Sequence, residues 1–235
     1  MPPNPELLHS LGRLVRGLSA LFWGLPIALI VCVQTARGGD TLRSFGFFPP
    51  VIVTAWLLYG LWQLGQFQRQ ERVWRLALER AGLFGVANLG LAPFLFWWTQ
   101  MPNEPFYQQM VLVLAVTGLI FLGDLNLVLR RLTAMLPDET LRLEARQFTA
   151  LNRGLLMMAL WLTVVDFALN QVSLLPPELV FWLQWLEHRL GLWLLIALVL
   201  LPLSVTMALL WKTKEVVLAA VFGAGKGDPK TEAGK

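Results

Sequence analysis

Apolar residues in this chain come in long runs broken by short polar or charged segments. Six runs can be placed, at residues 17–36, 49–67, 82–100, 107–128, 154–172 and 190–211. Each is close to the ~20 residues an α-helix needs to cross a bilayer core of about 30 Å. A transmembrane barrel would instead show ten-residue segments of alternating polarity, a pattern this sequence lacks. The prediction is an all-α polytopic membrane protein with six transmembrane helices.

The segments between the runs carry patterns of their own. QRQERVWRLALERAG places Glu71 four residues before Arg75 and Val73, Leu76 and Arg80 along one side, as a helix does. PDETLRLEARQFTALNRG opens with Pro137, Asp138 and Glu139, which suit a first helical turn, and then repeats Leu141, Ala145, Phe148 and Asn152 at helical spacing. Both are predicted as cytoplasmic helical extensions, the second running directly into the fifth span. Residues 177–189 are too apolar for a free loop, and 177–211 is too long for one span. The stretch with Trp182 and Trp185 therefore reads as an outer interfacial helix. The expected organisation is a cytoplasmic lead at 1–16, a membrane domain at 17–211 and a basic, largely disordered cytoplasmic tail at 212–235. The first run is expected to be retained, because Gln34 occupies the place where a leader cleavage site would need a small residue.

Composition agrees with the pattern. Hydrophobic residues make up 56% and charged residues 14%, with a mean hydropathy of +0.59, against roughly a quarter charged in soluble domains. The distribution of charge adds orientation. Alternate segments hold sixteen of the nineteen Lys and Arg residues, and the others hold three. By the positive-inside rule both termini face the cytoplasm of an inner membrane. The sequence pI near 9.6 follows from that asymmetry. It points to the bilayer and its anionic head groups as partners, with other membrane chains as further candidates, and not to nucleic acid.

Ionisable and polar residues inside the runs need explaining, since a charge at a helix centre costs about 2.5–3.5 kcal/mol on insertion scales. At about 100° per residue, Asn152, Ala159, Thr163, Asp166 and Asn170 share one stripe of the fifth run. Ala81, Gly85, Asn88, Ala92 and Thr99 share one on the third, and Thr117, Asp124 and Arg131 one on the fourth. The first run repeats small residues at Ala20, Gly24, Ala28 and Cys32, a spacing that lets helices approach closely. Asp166 counts to several residues inside the outer boundary, while Asn88 and Asp124 count to similar depths from the cytoplasmic side. An Asn88–Asp124 hydrogen bond is the expected pairing. Asp124 and Asn126, two apart, face nearly opposite ways.

Several chemistries find no residues to support them. His9 and His188 lie outside the runs on opposite sides, so axial haem ligands are absent from the sequence, as are an HExxH helix, a P-loop and a nucleophile elbow. One cysteine allows neither an intrachain disulfide nor a thiolate metal cluster. No cofactor, metal site or catalytic residue is expected. The leading expectation is a non-enzymatic accessory or scaffold protein, meeting other membrane chains through the small-residue stripe of run one and the helix after Pro137. The alternatives are a small transporter or channel subunit, with Asp166, Thr163 and Asn170 lining a path through runs three to five, and a lipid-acting enzyme using Asp124 with Arg130 or Arg131.

Overall fold

The computed structural model describes residues 5–38, 40–67, 71–135, 139–171 and 192–223. Among these the chain is all-helical. Its helices are α1 (Pro5–Ala36), the single turn α2 (Asp40–Arg43), α3 (Phe48–Gly65), α4 (Arg72–Leu91), α5 (Pro93–Gln100), α6 (Pro105–Met135), α7 (Glu139–Gln171) and α8 (Leu192–Gly223). Local chemistry sets several boundaries. Gly38 and Gly46, at φ +66° and +62°, take the left-handed turns between α1 and α3 that a side chain would strain. Prolines open α3, α5 and α6, where a missing N–H has no helical partner to lose. Pro93 separates α4 from α5, yet Ala92 N–H still bonds Asn88 O at 2.8 Å. The two are therefore one helix bent at a proline.

Among the described residues, four helices are long and apolar enough to cross a membrane: His9–Ala36, Arg72–Gln100 across the bend, Pro105–Met135 and Ala197–Ala219. Residues with large exposed apolar side chains, among them Trp23, Ile30, Ile52, Leu83, Val86 and Trp161, point outward from the helices, as a lipid-facing surface requires.

Neighbouring long helices run antiparallel, and their side chains give the register. Gly17 meets Leu64 and Gly24 meets Leu57 between α1 and α3, and Gly85 meets Leu58 between α3 and α4. Asn88 meets Thr117 between α4 and α6, Gly123 meets Leu156 between α6 and α7, and Glu144 meets Lys212 between α7 and α8. Packing of α8 on α1, with Phe22 and Trp211 rings 5.6 Å apart, closes the arrangement into a ring. Both ends of the described chain consequently lie on one side.

The tightest core also lies on that side. Leu14, Leu64, Trp74, Leu129, Leu132, Leu141, Ala145, Leu209 and Val217 are all buried there. Helices α1, α6, α7 and α8 have 31 to 33 residues, about 46–50 Å at 1.5 Å per residue, well beyond a 30 Å hydrocarbon core. The excess is used here, as helical extensions bundled together.

Helix α1 begins within the expected lead, at Pro5, and α8 runs on through Lys212 to Gly223, past the expected end of the membrane domain. The expected interfacial helix at 177–189 and the rest of the tail lie outside the described residues. The opposite half is looser: no residue of α6 between Pro105 and Ile120 is fully buried.

Candidate functional site

Asp124 sits on α6 near the end of its apolar run, and the carboxylate is buried against α4. There Arg80 Nη2 lies 3.2 Å from its Oδ1. The expected Asn88–Asp124 bond is not formed. Asn88 accepts instead from the Thr117 hydroxyl at 2.6 Å, and Asp124 is seven residues farther along α6, about 10 Å, which puts it beside Arg80. The two pairs share one antiparallel register, eight residues apart on α4 and seven on α6. Between them Gly85 lets the helices close, since a Cβ there would come within 3.4 Å of Phe121 and 2.7 Å of Leu58. The stripe read on run three is thus the α4–α6 seam: Ala81, Gly85, Asn88 and Ala92 are all buried.

Two residues farther on, Asn126 faces the other way, into α7 and α8. Its Nδ2 donates to Leu122 O at 2.7 Å and to Thr206 Oγ1 at 2.9 Å. Asn152 of α7 donates to the same Thr206 oxygen at 3.0 Å and to Pro202 O at 3.3 Å. Thr206 in turn donates to Pro202 O at 2.7 Å. Three fully or nearly fully buried side chains from three helices meet at one hydroxyl. Asp124 and Asn126 differ by about 3 Å in height, so a single turn of α6 ties α4 on one face and α7 with α8 on the other. The result is a polar layer across four helices.

The layer has more acceptors than donors. Asp124 Oδ2, Asn126 Oδ1 and Asn152 Oδ1 are buried and have no hydrogen-bond partner among the described residues. Each is the kind of group that in native interiors is met by protein, water or an ion.

Other expected site residues are placed elsewhere. Thr163 bonds back to Ala159 O of its own helix. Asp166 and Asn170 lie on the α7 backbone, with side chains outside the described residues. Arg130 and Arg131 are exposed, and neither forms the ion pair with Asp124. Ala20 and Gly24 pack on α3, where a Cβ on Gly60 would come within 3.3 Å of Ala20 and one on Gly24 within 2.8 Å of Leu57; Ala28 packs against the same core. The run-one stripe therefore packs within the chain, against α3. The helix after Pro137 packs inward along one side only, and Leu143, Arg146 and Gln147 stay exposed on it. Leu141 and Ala145 are buried, and Glu144 pairs with Lys212 of α8 at 2.5 Å beside a shallow cavity of about 260 Å³ lined also by Thr140 and Glu215.

Sequence reasoning missed Arg80, Asn126, Thr206 and Gly17. The signal for Arg80 was its eight-residue spacing from Asn88, matching the seven between Thr117 and Asp124. Among the described residues no group of His, Cys, Asp and Glu could hold a metal ion. Comparison with protein-family models, curated proteins and solved structures returned no match.

Proposed function

We propose that this chain is a six-span inner-membrane protein with both termini in the cytoplasm, acting as a non-enzymatic accessory or scaffold protein for other membrane chains. One observation carries the reading: a set of polar side chains within the bundle is directed across helix seams onto neighbouring helices. Asn88 with Thr117, Arg80 with Asp124, and Asn126 with Thr206 and Asn152 are contacts that fix helix register. Small-residue seams and interhelical hydrogen bonds are how membrane helices associate. The exposed arginines Arg130, Arg131, Arg146 and Arg153 suit anionic head groups at the cytoplasmic face.

Beside the exposed side of the helix after Pro137, where Leu143 lies open, the half of α6 from Pro105 to Ile120 offers a face on which a partner helix would rest. A photo-crosslinking residue at Val113, which is exposed, is expected to give one defined adduct with another membrane protein in mild detergent. A clean monomer with no adduct would remove the scaffold reading.

The transporter reading keeps one supporting feature, the unmet oxygens of the polar layer. On its expected path, the Thr163 hydroxyl donates to Ala159 O of its own helix and keeps its lone pairs as acceptors.

A further inference from the structure

We infer that the polar layer between α6, α7 and α8 binds a small ligand that presents hydrogen or positive charge to oxygen, of the size of a water molecule or an alkali cation. The inference stands apart from the scaffold reading and follows from counting donors and acceptors. A primary amide has two N–H donors and one carbonyl oxygen. Asn126 directs both donors onto Leu122 O and Thr206 Oγ1, and Asn152 directs both onto Pro202 O and Thr206 Oγ1. The Thr206 hydroxyl has one proton, given to Pro202 O, and two lone pairs, each taking an amide. Every donor in the cluster is committed, and both carbonyl oxygens are left without one among the described residues.

Turning either amide over does not cure this. Asn126 Nδ2 is 2.7 Å from Leu122 O, and Asn152 Nδ2 is 3.3 Å from Pro202 O. Both partners are carbonyl oxygens, which only accept. A flipped amide would press oxygen on oxygen and leave its N–H groups unmet as well. The network therefore fixes the orientation that hydrogen-bond assignment ordinarily leaves open.

The two residues are 2% and 0% exposed, so bulk solvent does not meet these oxygens. Leaving a buried acceptor unmet carries its full desolvation penalty. The third unmet oxygen, Asp124 Oδ2, lies within one turn of Asn126, on the α4 side of α6. Its charge is opposed by an arginine that is itself 58% exposed. A layer with an excess of oxygen acceptors and one buried carboxylate favours a donor or a small cation over an anion. Amide and backbone carbonyls are the oxygens that hard cations accept, and they are equally good acceptors for a bridging water.

The test separates the two sources. The full chain, purified in detergent, is melted in NaCl, LiCl, KCl and choline chloride at equal ionic strength. Its structure is also determined at a resolution that shows ordered water. An alkali-specific rise in Tm of several degrees, lost in Asn126→Leu and Asn152→Leu, identifies a cation. Equal Tm in all four salts, with ordered density 2.6–3.2 Å from either carbonyl oxygen (hydrogen-bond range), identifies water. Equal Tm with no density at either oxygen overturns the inference. Because the density is read on the unsubstituted chain, the outcome does not depend on the variants folding.

Discussion

Arg80→Leu and Asp124→Asn break the same ion pair, and the structure says that they cost different amounts. The arginine side chain is 58% exposed and the aspartate side chain 10%. Removing the arginine strands a buried carboxylate with neither oxygen partnered among the described residues. Removing the charge at Asp124 only releases an arginine that is already half solvated and can reach a head group. At 3.2 Å the Coulomb attraction is about 5 kcal/mol for an effective dielectric of 20 and about 1.3 kcal/mol in water. Half exposure of one partner pulls the net value toward the low end, where exposed pairs contribute at most about 1 kcal/mol. Loss of the partner of a fully buried charge costs about 3–5 kcal/mol. Arg80→Leu should therefore destabilise by about 2–3 kcal/mol and Asp124→Asn by about 1 kcal/mol or less.

Reversible unfolding in mixed dodecyl maltoside and dodecyl sulfate micelles, followed by tryptophan fluorescence, measures both. The double variant decides the mechanism. If the cost of Arg80→Leu is the stranded carboxylate, adding Asp124→Asn should restore more than half of it. Equal costs for the two single variants, or strict additivity in the double, would refute the argument. Either result would mean that Asp124 depends on some other partner.

Thr206→Val keeps shape but leaves two asparagine amides without their shared acceptor. A loss of about 1–3 kcal/mol is expected in the same assay, and Asn126→Leu and Asn152→Leu should add little on top of it. Gly17→Val should cost about 1–3 kcal/mol by overpacking, because a Cβ there would sit 2.9 Å from Gly60 O and 3.1 Å from Leu64 N, both backbone. Gly118→Ala, with open space around the site, should be neutral or stabilising by up to about 1 kcal/mol. With Cys32 replaced by Ser, an impermeant maleimide applied to intact cells should label Glu104→Cys and leave Glu139→Cys untouched; the reverse would overturn the proposed orientation.

Helix existence and the one-sided stripes were legible in the chain because they rest on local regularities. Ala81, Gly85, Asn88 and Ala92 fall on one stripe by spacing alone, and Leu141, Ala145, Phe148 and Asn152 do so on α7; all but the half-buried Phe148 are buried. What each stripe faces was not legible. The small residues Ala20 and Gly24 look the same in sequence whether they meet another protein or α3, and only the approach of Gly17 to Gly60 and Leu64 decides it. Arg80 was hidden for a different reason. Hydropathy ends the third run at residue 82 because arginines precede it, whereas the backbone forms one helix from Arg72 to Leu91. A long side chain just past the apolar boundary can reach back to a carboxylate inside it, and no window average registers that reach.

The segment FLGDLNLVLRR illustrates the difference between a motif and a junction. Residues two apart on a helix are separated by about 200°, so Asp124 and Asn126 cannot share a ligand directly. They can hold two different sets of helices at one height. That placement does more for register than for net stability. Interhelical hydrogen bonds in membranes average about 0.6 kcal/mol, and a half-exposed ion pair contributes about as little. A slip of α6 by one turn, about 5.4 Å, would nevertheless carry Asp124 away from Arg80 and Asn126 away from Thr206 in the same step. Each would then be buried and unmet, at about 1–3 kcal/mol for the amide and more for the carboxylate. The penalty for the wrong alignment exceeds the gain from the right one, so a single turn of α6 selects one packing of α4, α6, α7 and α8 from seams of small and apolar residues that would tolerate several.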